Sequence, residues 1–516
     1  MKRLLYLLHR WAGIALALVM ALWFLSGMVM LYVGYPKLTP AEQLQGQAVL
    51  RAGPDCCVPL AQALAASGLR EPTQWRLMRI GGELRYVFSD GRKAAAAVDA
   101  RTGQRVAPTQ ASAAVASAAE FAGGAPVRWL GEVTEDAWTH SRALDAHRPL
   151  QLVAVDEPAG RWLYVSGRTG EVVRDASRTE RTWGWVGAWL HWLYIFRGGP
   201  IDAWWTDIVI ALSIAGGVLA LSGLVVGLWR WRFSGRYKSG SRSPYRTGLM
   251  RWHHLVGLAG GTLALTWVLS GLFSMNPWKI FTADGPKPDR TAFAGGPLRA
   301  EDAPPAATLL ARLQADGIEP RLLEWRRVAS QPAVLVHTAS RSFLADSAGQ
   351  AMPLLPEATL TAAAARLLPQ ARIEGREWLT TYDAHYYARE PHTMTGHRER
   401  PLPVLRLHFD DAAGHEAVID PATGALVQLS SQSQRAERWL FAFLHSFDLP
   451  AFLNARPAWD AWMLGFSAAG LLLSCTGVVL GWRRLRHQRP QPRRPDMKAS
   501  TGPLGAQNAP LEQELT

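Results

Sequence analysis

Four histidines stand in matched pairs: His253 follows His9 by 244 positions, and His445 follows His191 by 254. A neutral imidazole is a good iron ligand. Two imidazoles on opposite sides of a flat macrocycle, carried by facing helices, make a bis-histidine b-type haem site. His9 and His253 precede apolar runs, and His191 and His445 lie just before the opposite ends of two others. The pattern therefore predicts His9 opposite His253 and His191 opposite His445, with two haem b groups per chain. His254 is the alternate ligand for the first pair. Small residues let a porphyrin approach the backbone, and glycines accompany the histidines. Gly13 and Gly257 are one turn away on the same helix face. Gly27 and Gly271 lie 18 residues on, about 27 Å along a helix, at the level of the second pair. Gly223 and Gly477 reach back to the level of the first. Arg10, Arg230, Arg251 and Arg484 are candidate partners for haem propionates. Histidines at membrane interfaces and small residues between spanning helices are common without any cofactor. Four histidines in duplicate register, each with glycine support, favour ligation.

The elements that must position these residues are membrane spans. Of 516 residues, 48% are hydrophobic and only 19% charged. Four stretches suffice to cross a bilayer, which takes about 20 apolar residues: Trp11–Val33, Asp207–Trp229, His253–Met275 and Trp459–Trp482. The net charge of +13 sits at one side of them. The first ten residues, the stretch Arg230 to Trp252 and the tail from Arg483 hold 17 Lys or Arg against only Asp496, Glu512 and Glu514. This is a positive-inside distribution, and it removes the need for nucleic acid as a partner. It predicts an inner (cytoplasmic) membrane protein with both termini cytoplasmic and the two long loops periplasmic. The first run has no small-residue cleavage site after it and reads as a retained anchor. Cys56, Cys57 and Cys475 have neither disulfide-framework nor zinc spacing, and the adjacent pair reads as loop residues.

The spans repeat as a unit. His9, Gly13 and Gly27 reappear as His253, Gly257 and Gly271; Trp185, His191, Trp205, Ser213, Gly223 and Gly227 reappear as Trp439, His445, Trp459, Ser467, Gly477 and Gly481. An ungapped register over such dissimilar residues implies a tandem duplication of helix, outer domain and helix. Alternating strand patterns end in turns such as Asp99-Ala-Arg-Thr-Gly103 and Asp420-Pro-Ala-Thr-Gly424, where glycine supplies positive φ. Ala-rich runs at Ala111–Ala122 and Leu360–Leu368 read as helices on those sheets, and Ala283 to Pro305 reads as a mobile connection. The expected fold is a membrane α-helical protein with four transmembrane helices and two α+β outer domains. Its parts are helix 1 (1–34), outer domain 1 (35–180), an interfacial helix and helix 2 (181–232), a basic loop (233–252), helix 3 (253–276), outer domain 2 (277–434), an interfacial helix and helix 4 (435–486), and a disordered tail (487–516).

These features resemble the PepSY-associated transmembrane proteins over nearly the whole chain to Arg486. The resemblance rests on His9-Arg-Trp-x-Gly, the Asp-x-x-Thr-Gly turns, Arg438-Trp-Leu-x4-His445, Tyr382-Asp-Ala-His-Tyr-Tyr387 and Arg400-Pro-Leu-Pro-Val-Leu-Arg-Leu. It implies PepSY-like periplasmic domains and, by analogy with iron-regulated and iron-uptake relatives, a b-type haem ferrisiderophore reductase. Some relatives carry a fused flavin reductase where this sequence runs into a Pro- and Arg-rich tail. No Gly-x-Gly-x-x-Gly follows a strand and no P-loop occurs, so quinol or a separate cytoplasmic reductase is the expected electron donor. The acceptor expected is a ferric siderophore or other iron chelate. Tyr382, His385, Tyr386, Tyr387, His392 and Arg398 are candidate acceptor contacts, although a solvated polar loop explains them as well. Two other functions compete: a non-enzymatic PepSY interaction or regulatory protein, and a component of iron or siderophore uptake transport. A transporter usually keeps charges within its spans; here only Asp207 and Asp460 occur, both at span ends, and the apolar interiors have none.

Overall fold

The computed structural model describes residues 1–53 and 56–487. The tail expected at 487–516 therefore lies, from 488 on, outside the described residues. Among the described residues, four helices are long and apolar enough to cross a membrane: Lys2–Met30, Trp205–Arg230, Leu249–Ser274 and Ala458–His487. Three of the four start or end well beyond the apolar windows, because hydropathy marks what lipid will accept rather than where helical hydrogen bonding stops. His9 and His253 consequently sit inside helices rather than at their tips.

The bundle is a ring. The first helix packs against the second and fourth, and so does the third. The first and third are thus diagonal, as are the second and fourth. Met20, Phe24, Ala264, Trp267, Val268 and Met463 fill the centre.

Beyond one end of the bundle lie fourteen strands among the described residues, in three antiparallel sheets. The first sheet has the order β10-β9-β8-β1-β2-β3. It joins β1 (Gln74–Ile80), β2 (Glu83–Asp90) and β3 (Ala94–Asp99) to β8 (Leu322–Val328), β9 (Gln331–His337) and β10 (Ser342–Ala345). The second runs β4 (Val127–Val133), β5 (Leu150–Val155), β6 (Trp162–Ser166), β7 (Val172–Ala176). The third runs β11 (Ile373–Leu379), β12 (Val404–Phe409), β13 (Glu416–Ile419), β14 (Leu426–Ser430).

The two expected outer domains share the first sheet. β1 pairs with β8, Trp75 opposite Trp325 and Leu77 opposite Leu323. One core serves both, with Leu50, Tyr86 and Phe88 packed among Leu309, Leu310 and Val334. Each three-stranded meander has too little apolar face to close a core alone, and joining them edge to edge removes an exposed strand edge from each. The helices Ala111–Phe121 and Glu357–Ala365 form near the expected runs. The connection expected to be mobile is instead anchored: Asp289 caps a short helix, Arg290–Ala294, whose Phe293 is buried. Cys56 and Cys57 also pack against the shared core.

Two short helices carry the chain from the sheets to the bundle. Ser177 and Glu180 form a capping box, as do Ser431 and Gln434, 254 positions later. Each helix continues into a π-wound turn, Trp185–Trp189 or Arg438–Phe443. These turns pack on the first and third spanning helices respectively. After each comes a histidine, and the chain then doubles back. Trp205 Nε1 donates to the Trp192 carbonyl at 2.7 Å and Trp459 Nε1 to that of Ser446 at 3.0 Å, fixing both reversals.

Candidate functional site

The four histidines come together as the two expected pairs. The rings of His9 and His253 face each other between the first and third helices, with centres 6.3 Å apart. Those of His191 and His445, at the sheet end, have centres 6.0 Å apart. Two imidazoles binding one iron from opposite sides, at about 2 Å per bond, put their ring centres roughly 6 Å apart.

Each ring is held by its other nitrogen. Nδ1 of His191 lies 3.0 Å from Ser26 Oγ, and that of His445 lies 3.0 Å from Ser270 Oγ. His253 Nδ1 is 2.9 Å from Thr476 Oγ1, and His9 Nδ1 is 3.4 Å from Ser222 Oγ and 3.3 Å from the Leu219 carbonyl. All four hydroxyls donate their one hydrogen to the carbonyl three residues back: Trp23, Trp267, Leu473 and Leu219. The oxygen then has only lone pairs to offer, so Nδ1 carries the imidazole proton. Nε2 is left with its lone pair, and among the described residues no partner bonds it. This is the tautomer and orientation a ligating histidine needs. Burial pushes His191 down to about 3, with His445 adding to the effect, and burial lowers His445 as well. Both are neutral, the form that ligates.

The glycines give each ring room. An added Cβ would fall 3.6 Å from His191 at Gly27 and 3.7 Å from His445 at Gly271. At Gly477 it would lie 3.8 Å from His253, and at Gly223 it would collide with His9 at 2.7 Å. Gly13 and Gly257 face Leu219 and Leu473 instead of a ring. His254 has no nitrogen to spare, since Nδ1 bonds Ser243 Oγ at 2.8 Å and Nε2 the Gly227 carbonyl at 3.0 Å. Among the described residues no three His, Cys, Asp or Glu converge on a bare metal ion. A pair of neutral imidazoles fits a group that brings its own equatorial donors.

Arg10, Arg230, Arg251 and Arg484 are all exposed at the end of the bundle away from the sheets. Arg230 donates to Tyr6 Oη at 3.0 Å and Arg251 to the Arg246 carbonyl at 2.9 Å. The 382–400 segment does not form one open contact surface. Tyr386 is fully buried, donating to the Pro401 carbonyl. Tyr387 is anchored on Asp448, and His392 Nε2 lies 2.9 Å from the Leu31 carbonyl, bracing the end of the first helix. His385 sits against Trp439, with ring centres 5.8 Å apart. Tyr382 and Arg398 remain exposed.

Ser26, Ser222, Ser270 and Thr476 were assigned no role from the sequence. Their signal is that each immediately precedes a register glycine, at Gly27, Gly223, Gly271 and Gly477.

The family model for the PepSY-associated TM region matches residues 6–338. No curated protein shows a significant match to the chain.

Proposed function

This chain belongs to the PepSY-associated transmembrane family, and from that premise we propose that it is an inner-membrane haem b protein that reduces a ferric chelate, such as a ferrisiderophore, on the periplasmic side. The single observation that carries the reading is the geometry of the two imidazole pairs. Each pair is spaced for one iron, each Nδ1 is tied to a hydroxyl, and no Nε2 has a hydrogen-bond partner among the described residues. Contacts that recur at offsets of 244 and 254, Ser26–His191 with Ser270–His445 and Trp205–Trp192 with Trp459–Ser446, support a tandem duplication.

Haem b supplies, when bound, a one-electron couple at each end of the bundle. The protein's part is positional. Ser26, Ser222, Ser270 and Thr476 hold the rings, while Phe24 and Trp267, with ring centres 6.0 Å apart, pack in the apolar centre of the bundle. A cytoplasmic donor, quinol or a separate reductase, gives up electrons at the basic end. Each ferric ion accepts one electron at the sheet end and leaves as ferrous iron. The basic residues exposed at that end support a cytoplasmic orientation for it, by the positive-inside rule.

The test is a reduced-minus-oxidised visible spectrum of detergent-purified protein, wild type against His9→Ala, His191→Ala, His253→Ala and His445→Ala. A b-type α-band equivalent to two haems per chain, diminished by each substitution, is expected. A featureless spectrum after reconstitution with haem overturns the reading.

A further inference from the structure

Burying a guanidinium without partners for its N–H groups is costly, so native proteins rarely leave such donors unpaired. Around His385, between the third sheet and the π-wound turn that leads to His445, four such nitrogens occur among the described residues, with an unpaired imidazole nitrogen beside them. Arg406 lies on β12 with its side chain 7% exposed. It uses Nη1 for Asp383 Oδ2, 2.7 Å away, and Glu377 Oε2, 3.3 Å away. Its Nε and Nη2 are buried with no hydrogen-bond partner among the described residues. Those two atoms are the side-on fork that takes a carboxylate bidentately. Arg438, 11% exposed, donates Nη2 to the Asp448 carbonyl at 3.1 Å and lies 3.2 Å from Asp448 Oδ1; among the described residues that oxygen and Arg438 Nε and Nη1 are buried without a hydrogen-bond partner. Nδ1 of His385 is buried and unpaired too. Trp439 ties the group together, with His385 against its ring and the Arg438 guanidinium 4.7 Å above it. Burial lowers the His385 pKa; the charges of Glu416 and Asp383 oppose that shift, and those of Arg438 and Arg406 add to it.

We propose that Arg406, Arg438 and His385 form a binding site for a carboxylate, gripped by the free fork of Arg406. The neighbouring carboxylates do not fill it. Asp383 and Glu377 engage only Nη1 of Arg406, and Asp448 only Nη2 of Arg438. The site bridges the third sheet to the π-wound turn Arg438–Phe443, which precedes His445 in the chain. It has no counterpart in the first half, where Gly184 stands 254 positions before Arg438. The role assigned rests on the ferric-chelate reading; the site itself does not. A carboxylate reaches this position either on an iron chelate or as a haem propionate, and the two sources separate experimentally.

The full chain in detergent is titrated calorimetrically with iron-free citrate, as wild type, Arg406→Lys and Arg438→Gln. Arg406→Lys keeps the charge beside Asp383 while removing the fork, so it reports on the site even where Arg406→Gln does not fold. Saturable citrate binding, weakened about tenfold or more in each variant, supports the proposal with a chelate as the source. Without citrate binding, a lowered midpoint potential of one b haem in Arg438→Gln and Arg406→Gln, with the bis-histidine absorption unchanged, supports it with a propionate as the source. Neither citrate binding nor a shifted potential overturns it. A protein that takes up no haem but binds citrate through these residues leaves the site standing and removes the reductase reading.

Discussion

The histidine–hydroxyl contacts set the behaviour of the paired rings at the scale of single residues. Ser270→Ala removes the acceptor for His445 Nδ1 without touching Nε2. Such outer partners typically change metal affinity by roughly 10–100-fold. Ser270→Ala and Ser26→Ala are therefore expected to retain a b-type spectrum but lose haem faster to a competing apoprotein. Loss rates equal to wild type would show the hydroxyls to be passive. The glycines divide by clearance. Gly223→Ala drives a methyl against His9 at 2.7 Å, whereas Gly27→Ala meets His191 only at 3.6 Å. Overpacking of the first kind costs about 1–3 kcal/mol, so thermal unfolding should fall clearly for Gly223→Ala and little for Gly27→Ala.

At the scale of elements, the strand β7 hands the chain to the capped helix that leads toward His191, and Asp175 sits on it almost wholly buried. Burial, with Glu42 and Glu180 adding repulsion, pushes this carboxyl up to about 7. A carboxyl raised in the folded state costs stability once the unfolded chain can ionise it. Stability is therefore fullest below about pH 4 and declines as the pH rises through 7, by at most on the order of 4 kcal/mol. Asp175→Asn should melt like wild type near pH 4 and progressively higher than wild type toward pH 8. Parallel curves across that range would mean Asp175 ionises freely. Both capping boxes carry a local pattern, Ser-x-x-Glu or Ser-x-x-Gln. The π-winding after them was not, because it answers to packing on the spanning helices rather than to local propensity.

At the scale of the whole molecule, the outer segments are interdependent. The six-stranded sheet closes only when β1 meets β8, and the core behind it draws on both. Residues 35–180 expressed alone should expose Trp75, Leu77 and Phe88 and aggregate, while co-expression with residues 277–434 should yield a soluble pair. A well-dispersed amide spectrum from 35–180 alone would show that the first segment needs no partner.

The spans, the charge asymmetry, the histidine register and the α+β character of the outer segments follow from the sequence by itself. Each is written in composition or in a repeat of fixed period, which survives without knowledge of neighbours. Tertiary structure alone decided the rest. It placed the rings of His9 and His253 across a diagonal of the bundle, and closed both nitrogens of His254 on Ser243 and Gly227. It merged two meanders into one sheet and buried Tyr386 where an exposed contact was expected. Those outcomes depend on which surfaces meet, and partners 165 to 277 residues apart, such as Ser26 with His191 or Leu44 with Arg321, leave no local trace in the chain.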